Sequence, residues 1–73
     1  MATKTRAEQF GRKLKAARDK RGLTQEELGK LAGFSVSHIY RLENGGREPR
    51  LSTIADLAHA LKLDPTELIK GIR

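Results

Sequence analysis

The sequence contains no cysteine and no tryptophan, and its 73 residues include only two phenylalanines and one tyrosine. Without cysteine, neither a disulfide framework nor a thiolate metal site is available to reinforce a small core. Nothing in the sequence indicates an oxidising compartment, so we expect the chain to reside in a reducing cytoplasm. The stability of the fold therefore depends on the packing of aliphatic side chains.

Long apolar runs are absent as well. No stretch approaches the roughly 20 residues that a transmembrane helix needs, and no signal-peptide hydrophobic region is present. The N-terminal stretch MATKTRAEQFGRKLKAARDKR is arginine-rich and amphipathic, as transit peptides are, but it carries Glu8 and Asp19. Transit peptides are poor in acidic residues. We therefore interpret this stretch as part of the fold and expect no membrane partner.

The positive charge is abundant by contrast. Fifteen Lys and Arg face nine Asp and Glu, which gives a formal net charge of +6. Such an excess is typical of proteins that bind a polyanion, although a merely soluble basic surface has the same composition. The length fits one domain over residues 1–73, with residues 1–4 as a flexible tail.

Three helix starts are encoded by capping residues. Thr5 and Glu8 have the spacing of a capping box, in which the hydroxyl and the carboxylate each accept a hydrogen bond from the other residue's backbone N–H. Thr24 and Glu27 repeat this spacing, and Ser35 is placed to cap a third helix. The sequence therefore predicts helices that begin just after positions 5, 24 and 35.

Two further helices are predicted near the C-terminus. One starts at about Leu51 or Ser52 and carries an apolar stripe at helical spacing. The other follows a third capping box, formed by Asp64 and Glu67, with Pro65 at the first helical position. No segment alternates apolar and polar residues, so we predict an all-α fold of five helices. The expected core consists of Phe10, Leu14, Leu23, Leu28, Leu31, Ile39, Leu42, Ile54, Leu57, Leu61, Leu63 and Leu68.

The third helix has only two strongly apolar positions, Ile39 and Leu42. At roughly 100° per residue, these two define the direction of the core. Ser37 and Asn44 point almost directly away from the core. Tyr40 and Arg41 lie on either side of these two. Faces that meet only water are more often built from Glu, Lys and Gln, which are better helix formers. The composition of this arc favours a binding surface, with an ordinary solvated face as the alternative.

A short helix, a tight turn at Gly33 and a second short helix with an exposed polar face form a helix-turn-helix arrangement, in which the second helix enters the DNA major groove. From Phe10 to Leu68 the chain resembles the helix-turn-helix domains of phage repressor and Cro type. The motifs that carry the resemblance are LTQEEL, the Gly33 turn, SVSHIYRLENG and LSTIADLAHALKLDP, in that order. The resemblance implies a five-helix, lambda-repressor-like DNA-binding domain with the motif at helices two and three.

The resemblance also implies a role for each polar side chain near the third helix. The implied base-reading residues are Val36, Ser37, Tyr40 and Arg41. Arginine can bind guanine O6 and N7 through two hydrogen bonds, and valine can pack on a thymine methyl group. The residues implied to contact the sugar-phosphate backbone are Thr24, Gln25, Asn44, Arg47 and Arg50, with Lys15 and His38 as further candidates.

Arg18 and Glu43 correspond to an arginine and a glutamate that commonly pair in this family. We interpret this pair as structural, because an arginine–carboxylate pair with two hydrogen bonds would fix the orientation of the third helix. Two positions depart from the family pattern. Gly29 stands where alanine is usual, at a helix-propensity cost of roughly 1 kcal/mol. Lys62 stands where glycine often ends the fourth helix, so we expect a different turn into helix five.

Members of this family generally bind palindromic sites as two-fold dimers, with half-sites roughly 34 Å apart. The resemblance therefore implies a homodimer that uses the loop after the third helix together with helix five. The candidate interface residues are Glu48, Pro49, Leu68, Ile69 and Ile72. The alternative is that the apolar members of this set merely complete the core.

Catalysis finds no support in the sequence. His38 and His59 lie on different predicted helices without metal-ligand spacing, no glycine loop for phosphate is present, and Glu27 and Glu67 are assigned to caps. We predict no enzymatic activity, no cofactor and no metal. We also expect no small-molecule effector.

The function predicted from these features is that of a sequence-specific, double-stranded DNA-binding transcriptional regulator, a repressor that binds its operator as a homodimer. An antitoxin or another protein-interaction module on the same fold is the alternative. A basic domain that docks on membranes is disfavoured, because that role requires exposed Leu, Phe or Trp on the outward arc of the third helix.

Overall fold

A computed structural model describes residues 4–73, which form five α-helices. In chain order these are α1 (Arg6–Lys20), α2 (Gln25–Ala32), α3 (Val36–Glu43), α4 (Leu51–Leu61) and α5 (Thr66–Ile69). Residues 4–73 contain no strand, so the predicted all-α class is confirmed. None of these helices combines the length and the apolar composition needed to cross a membrane. Of the predicted tail, residues 1–3 lie outside the described residues, and the carbonyl of Lys4 accepts a hydrogen bond from Gln9 Nε2 at 3.1 Å.

The predicted caps of the first three helices are confirmed. Thr5 Oγ1 accepts from the Glu8 backbone N–H at 3.0 Å, and Glu8 accepts from the Thr5 N–H at 2.8 Å. Thr24 and Glu27 form the same pair of hydrogen bonds at the start of α2. Ser35 Oγ accepts from the His38 N–H at 3.1 Å at the start of α3. Each cap uses only neighbours in sequence, which explains why the pattern alone located these helix starts.

The third predicted capping box, at α5, is wrong. Asp64 Oδ1 accepts from the Thr66 backbone N–H at 2.9 Å and from the Thr66 hydroxyl at 2.7 Å, and the helix begins at Thr66. The Glu67 side chain makes no reciprocal bond to Asp64 within residues 4–73. Pro65 takes the cap position, so the prediction that it is the first helical residue is wrong as well. Glu67 is therefore the second residue of the helix and not the third, which a capping box requires.

The core contains most of the predicted residues. Its buried cluster consists of Phe10, Leu14, Leu28, Ile39, Leu42, Leu57, Ala58, Leu61 and Leu68. Leu23, Ile54 and Leu63 are half-buried against this cluster. Leu31 was predicted to be buried, but it is 61% exposed. The buried face of α2 is centred between Leu28 and Gly29, and Leu31 lies roughly 110° from that centre at helical spacing.

The α2–α3 turn explains the unusual Gly29. Gly33 ends α2 in the left-handed conformation, with φ of 83°, and the N–H groups of Gly33 and Phe34 both bond to the Gly29 carbonyl at 2.8 Å. A Cβ atom on Gly29 would lie 2.5 Å from the Phe34 carbonyl oxygen. The glycine therefore allows α3 to follow α2 closely, which offsets its weak helix propensity.

The turn after α4 has the left-handed conformation that glycine usually adopts at this position. We expected Lys62 to change this turn, and that prediction is wrong. Lys62 has φ of 56° and ψ of 44°, and the Leu63 N–H bonds to the Ala58 carbonyl at 2.8 Å. Lys62 is the one non-glycine residue with positive φ among residues 4–73. The conformation is unfavourable for a side chain with a Cβ atom, and the turn nevertheless brings Leu63 and α5 back onto the core.

Helix α1 packs directly on the end of α3. A Cβ atom on Gly11 would lie 2.5 Å from the carbonyl oxygens of both Leu42 and Glu43. Just beyond α3, Gly45 has φ of 74° and lies against the Glu8 side chain. Two glycines on opposite sides of this contact thus let the backbones of α1 and α3 approach closely, and this approach sets the position of α3.

Candidate nucleic-acid interface

The orientation of α3 is set by a buried ion pair with α1. Arg18 Nε donates to Glu43 Oε2 at 2.6 Å, and Arg18 Nη2 donates to Glu43 Oε1 at 3.0 Å. Arg18 and Glu43 are only 9% and 8% exposed. The hydrogen bond to Glu43 raises the pKa of the Arg18 guanidinium further, so the guanidinium stays charged. Removal of either partner leaves an unpaired buried charge, which is strongly destabilising.

The same ion pair also reaches α2. Arg18 Nη1 donates to the Leu23 carbonyl at 2.7 Å, just before α2, and Gln25 Nε2 donates to Glu43 Oε1 at 3.0 Å. Gln25 is half-buried and stands at the first position of α2. The Glu43 carboxylate therefore connects α1, α2 and α3. Sequence reasoning identified the Arg18 contact through family resemblance but missed the Gln25 contact, for which the sequence carries no local signal.

The four implied base-reading residues lie together on the outer side of α3. Val36 and Tyr40 are 48% and 57% exposed, and Ser37 and Arg41 are exposed as well. Together with Gln25 they line one shallow groove between the start of α2 and the outer side of α3. The structure therefore brings the implied base readers next to the residue implied to bind a phosphate at the start of α2.

A second cleft lies on the other side of α3, between its first turns and the start of α4. The residues implied to bind the DNA backbone there, Arg47, Arg50 and His38, all line this cleft. The His38 ring is half-buried and stands edge-on to Phe34, with centroids 4.8 Å apart. Two guanidinium groups and an imidazole thus line the cleft between α3 and α4, together with the carboxylates of Glu48 and Asp56.

Helix α4 begins without a side-chain cap. Arg50 occupies the cap position but forms no cap hydrogen bond, in contrast to the hydroxyl caps of α1, α2 and α3. The first N–H groups of a helix have no partner within that helix and carry a partial positive charge. Ser52 and Thr53 of this first turn line the same cleft as Arg47 and Arg50. The cleft therefore offers an anion both side-chain cations and backbone donors.

Three other residues implied to contact the DNA backbone lie outside both depressions. Asn44 follows the last turn of α3, where its Nδ2 donates to the Tyr40 carbonyl at 2.8 Å. The Thr24 hydroxyl is used by the α2 cap. Lys15 is exposed on α1. None of the three lines the groove or the cleft, so their role as phosphate contacts stays a prediction.

The candidate dimer residues fall into different environments. Leu68 is fully buried in the chain's own core, so its assignment to a dimer surface is wrong. Ile72 is half-buried against that core, whereas Ile69 is 43% exposed on α5. Glu48 is exposed and Pro49 half-buried in the loop. The α5 sequence places both isoleucines near Leu68, and only the packing on α1 and α4 shows which of them is free.

Sequence reasoning missed Leu51, whose side chain is 87% exposed at the start of α4. Its spacing from Ile54 places both residues on one helical stripe. Leu51 lies before the part of that stripe that meets the core, however, and it projects into solvent beside the loop. Within residues 4–73, no group of three or more His, Asp or Glu side chains is placed to hold a metal ion.

Known proteins share the sequence pattern and the fold of this chain. The sequence profile of the family described as Helix-turn-helix matches residues 14–68. The uncharacterized HTH-type transcriptional regulator y4dL of Sinorhizobium fredii is 39% identical over 77 residues, a match that covers 100% of this chain and 38% of that protein. This chain thus spans well under half the length of that curated relative.

Two solved structures share the fold. The restriction-modification controller protein C.AhdI from Aeromonas hydrophila is 39% identical, with a TM-score of 0.83, and the match covers 85% of this chain and 94% of that one. The P22 c2 repressor, solved in complex with synthetic operator 9T, is 34% identical, with a TM-score of 0.77 over 85% of this chain and 94% of that one.

Proposed function

This chain belongs to the helix-turn-helix family, and from that premise we propose that it is a sequence-specific, double-stranded DNA-binding transcriptional regulator that acts as a repressor. The observation that carries the proposal is the groove in which Gln25 meets Val36, Ser37, Tyr40 and Arg41. Its four α3 residues are exposed and Gln25 is half-buried, while the opposite side of α3 is fixed to α1 by a buried ion pair. A helix held in this way presents a rigid reading surface to the major groove.

Base reading follows from the chemistry of the groove. The Arg41 guanidinium can donate two hydrogen bonds to guanine O6 and N7, and Val36 can pack on the methyl group of thymine. Ser37 and Tyr40 carry hydroxyl groups that donate or accept at a base edge. Because the inner side of α3 is fixed, these side chains keep constant positions relative to one another, and so they would face the same base pairs of the DNA major groove.

Phosphate binding on either side of α3 would hold the helix in place. Gln25 has one amide N–H bonded to Glu43, and its second N–H is available to a phosphate at the start of α2. On the other side, Arg47 and Arg50 and the uncapped first turn of α4 offer donors to a second phosphate. Contacts of this kind set position and orientation without reading sequence. The net charge of +6 adds a non-specific attraction to DNA.

We further propose that the chain binds a palindromic operator as a homodimer. A reading helix of only eight residues covers a small part of one half-site, and two copies related by two-fold symmetry place their helices in successive major grooves roughly 34 Å apart. The apolar residues that remain exposed near the proposed interface are Leu51 and Ile69. Together with Glu48, Pro49 and Ile72 they form the proposed contact surface, from which the buried Leu68 is excluded.

Selection of preferred duplexes from a random pool tests both parts of the proposal. We expect enrichment of a palindromic consensus whose half-sites are centred about one helical turn apart. Enrichment of an isolated half-site without symmetry would overturn the homodimer and retain DNA reading. If no duplex sequence were enriched and DNA binding depended only on the salt concentration, the proposal of sequence-specific regulation would be overturned. That outcome would favour a protein-interaction role for the fold.

A further inference from the structure

A third depression lies far from the candidate DNA surface, between α1 and α5. Its floor is apolar, with Ala16 and Ala17 on α1 and Leu63 before α5. Its rim carries the cationic side chains of Lys13, Lys20 and Arg21 and one carboxylate, that of Glu67. Ala16 is exposed, and Ala17 and Leu63 are half-buried, so apolar surface is accessible at the base of the groove.

This groove and α3 lie on opposite flanks of α1. Gly11 marks the flank against α3, since it meets the carbonyl groups of Leu42 and Glu43. At roughly 100° per residue, Lys13 lies about 160° and Lys20 about 180° around the helix from Gly11. A duplex that lies along the outer side of α3 therefore leaves the groove uncovered, and the DNA-binding role does not account for it.

The charges on the groove rim are not neutralised within the described chain. The ion pairs of residues 4–73 all involve Arg18, which leaves Lys13, Lys20 and Arg21 without an acidic partner. Arg21 is held in place because its Nε donates to the Leu61 carbonyl at 2.7 Å. The groove thus combines a positioned guanidinium and two ammonium groups with a single carboxylate. Its net positive charge is complementary to an acidic ligand.

We propose that the α1–α5 groove is a docking site for an acidic segment of a partner protein that carries apolar side chains between its carboxylates. The carboxylates would meet Lys13, Lys20 and Arg21, and the apolar side chains would cover Ala16, Ala17 and Leu63. A duplex matches the charge, but its outer edge presents phosphates, and its thymine methyl groups lie within the major groove. A second copy of the chain would bring the same positive rim. The proposal is independent of the DNA-binding function.

The small area of the groove predicts a weak and salt-sensitive interaction, of the transient class of interface. The probe is a short synthetic helix of glutamate and leucine, added to the ¹⁵N-labelled chain and followed by amide chemical shifts. We expect the shifts to change at Ala16, Ala17 and Leu63 and to stay constant at Tyr40. A second peptide, in which serine replaces each leucine, is expected to bind about tenfold more weakly, because it cannot cover the apolar floor.

Charge reversal in the groove provides the decisive variant. The double substitution Lys13→Glu and Lys20→Glu is expected to weaken peptide binding by about tenfold or more. Its affinity for a duplex is expected to stay within about twofold of that of a control variant with the same loss of positive charge. The double substitution Arg6→Glu and Arg12→Glu is the matched control for that loss, because it changes the net charge by the same amount, and both residues are exposed on the same helix but do not line the groove. The milder pair Lys13→Gln and Lys20→Gln gives the same test if charge reversal impairs folding, which circular dichroism detects.

Three outcomes would overturn the proposal. Equal binding of the leucine and serine peptides would show attraction by charge alone. Shifts centred on Ser37 or Arg41 would place the peptide on the DNA surface. The groove would be assigned to DNA if the Lys13→Glu and Lys20→Glu variant lost duplex binding as strongly as peptide binding while the Arg6→Glu and Arg12→Glu control kept its duplex binding.

Discussion

The inner and outer sides of α3 contrast sharply although they belong to one helix of eight residues. On the inner side Ile39 and Leu42 are fully buried, and Glu43 bonds to Arg18 and Gln25. On the outer side Tyr40 and Arg41 are exposed, and their side chains form no hydrogen bond or ion pair within residues 4–73.

This difference separates folding from recognition. Substitutions on the inner side remove core packing or leave a buried charge, which costs several kcal/mol. Substitutions of exposed residues usually change stability by less than about 0.5 kcal/mol. The outer side can therefore vary in sequence while the inner side maintains the position of the helix.

The largest effect is expected for Arg18→Ala, which leaves Glu43 buried without its partner. We expect a loss of about 3–5 kcal/mol in the free energy of unfolding, comparable to the whole stability of a domain this small. Urea denaturation followed by circular dichroism measures it. Arg12→Ala on the exposed face of α1 is the control, expected to change stability by less than about 0.5 kcal/mol. Equal stability of the two variants would mean that the ion pair does not hold α3.

The next effect is expected for Gly11→Ala, because the added Cβ atom would lie 2.5 Å from the backbone carbonyl oxygens of Leu42 and Glu43. The backbones of α1 and α3 must then separate, and we expect a net loss of about 1–3 kcal/mol. Gly46→Ala is the matched control, because its nearest contact is the Arg41 carbonyl oxygen at 3.6 Å. Thermal unfolding of both variants tests the contact, and a stable Gly11→Ala protein would contradict it.

On the outer side, Arg41→Ala is expected to leave stability unchanged and to reduce operator affinity by about 1–3 kcal/mol. The loss should be confined to one base pair of each half-site, because the role proposed for this side chain is to read one base. Binding to operators substituted at each position in turn shows which position has lost its discrimination. A uniform loss over all positions would move Arg41 from base reading to phosphate binding.

Arg47→Ala is expected to show the complementary behaviour, with weaker binding to all duplexes alike. Removal of one phosphate contact should reduce the slope of log affinity against log salt concentration by about 1. Titrations with operator and random duplexes at several salt concentrations measure this slope. If Arg47→Ala lowered the ratio of operator affinity to random-duplex affinity as well as the affinity itself, Arg47 would not be a pure backbone contact.

The smallest effect concerns the helix caps. Hydrogen bonds from the backbone N–H groups of Thr5 and Thr24 lower the pKa values of Glu8 and Glu27 below the ordinary 4.5. A carboxylate with a lowered pKa in the folded state stabilises the fold above its ordinary pKa, and this contribution is lost as the pH falls through the folded value. We expect a decline in stability below about pH 4.5 that is shallower in Glu27→Gln, measured by urea denaturation at several pH values. An unchanged slope would exclude a role of the cap in acid stability.

The helix starts could be predicted from the sequence because capping is local. Thr5, Thr24 and Ser35 each bond to a backbone group three residues away, so a short pattern contains all the partners. The outward direction of Ser37 and Arg41 followed in the same way from helical spacing about Ile39 and Leu42. Their grouping with Gln25 in one groove depended on the α2–α3 turn.

The two errors about burial have a non-local cause. The exposure of Leu31 and the burial of Leu68 depend on which helices cover each position. Periodicity gives the relative directions of side chains on one helix and says nothing about where the neighbouring helices end. The error at α5 is local, because the helix begins one residue later than predicted, with Pro65 at the cap, and Glu67 does not hold the third helical position.

The sequence by itself determined the five helices, the turn between α2 and α3, and the polar character of the outer side of α3, because each rests on contacts within a few residues. Only the tertiary structure decided that Glu43 joins Arg18 to Gln25, across 25 and 18 residues of sequence, and that Arg47, Arg50 and His38 line one cleft. The physical reason is that hydrogen bonds and charges act through space over a few ångströms. Residues distant in the chain acquire their partners only when the helices pack.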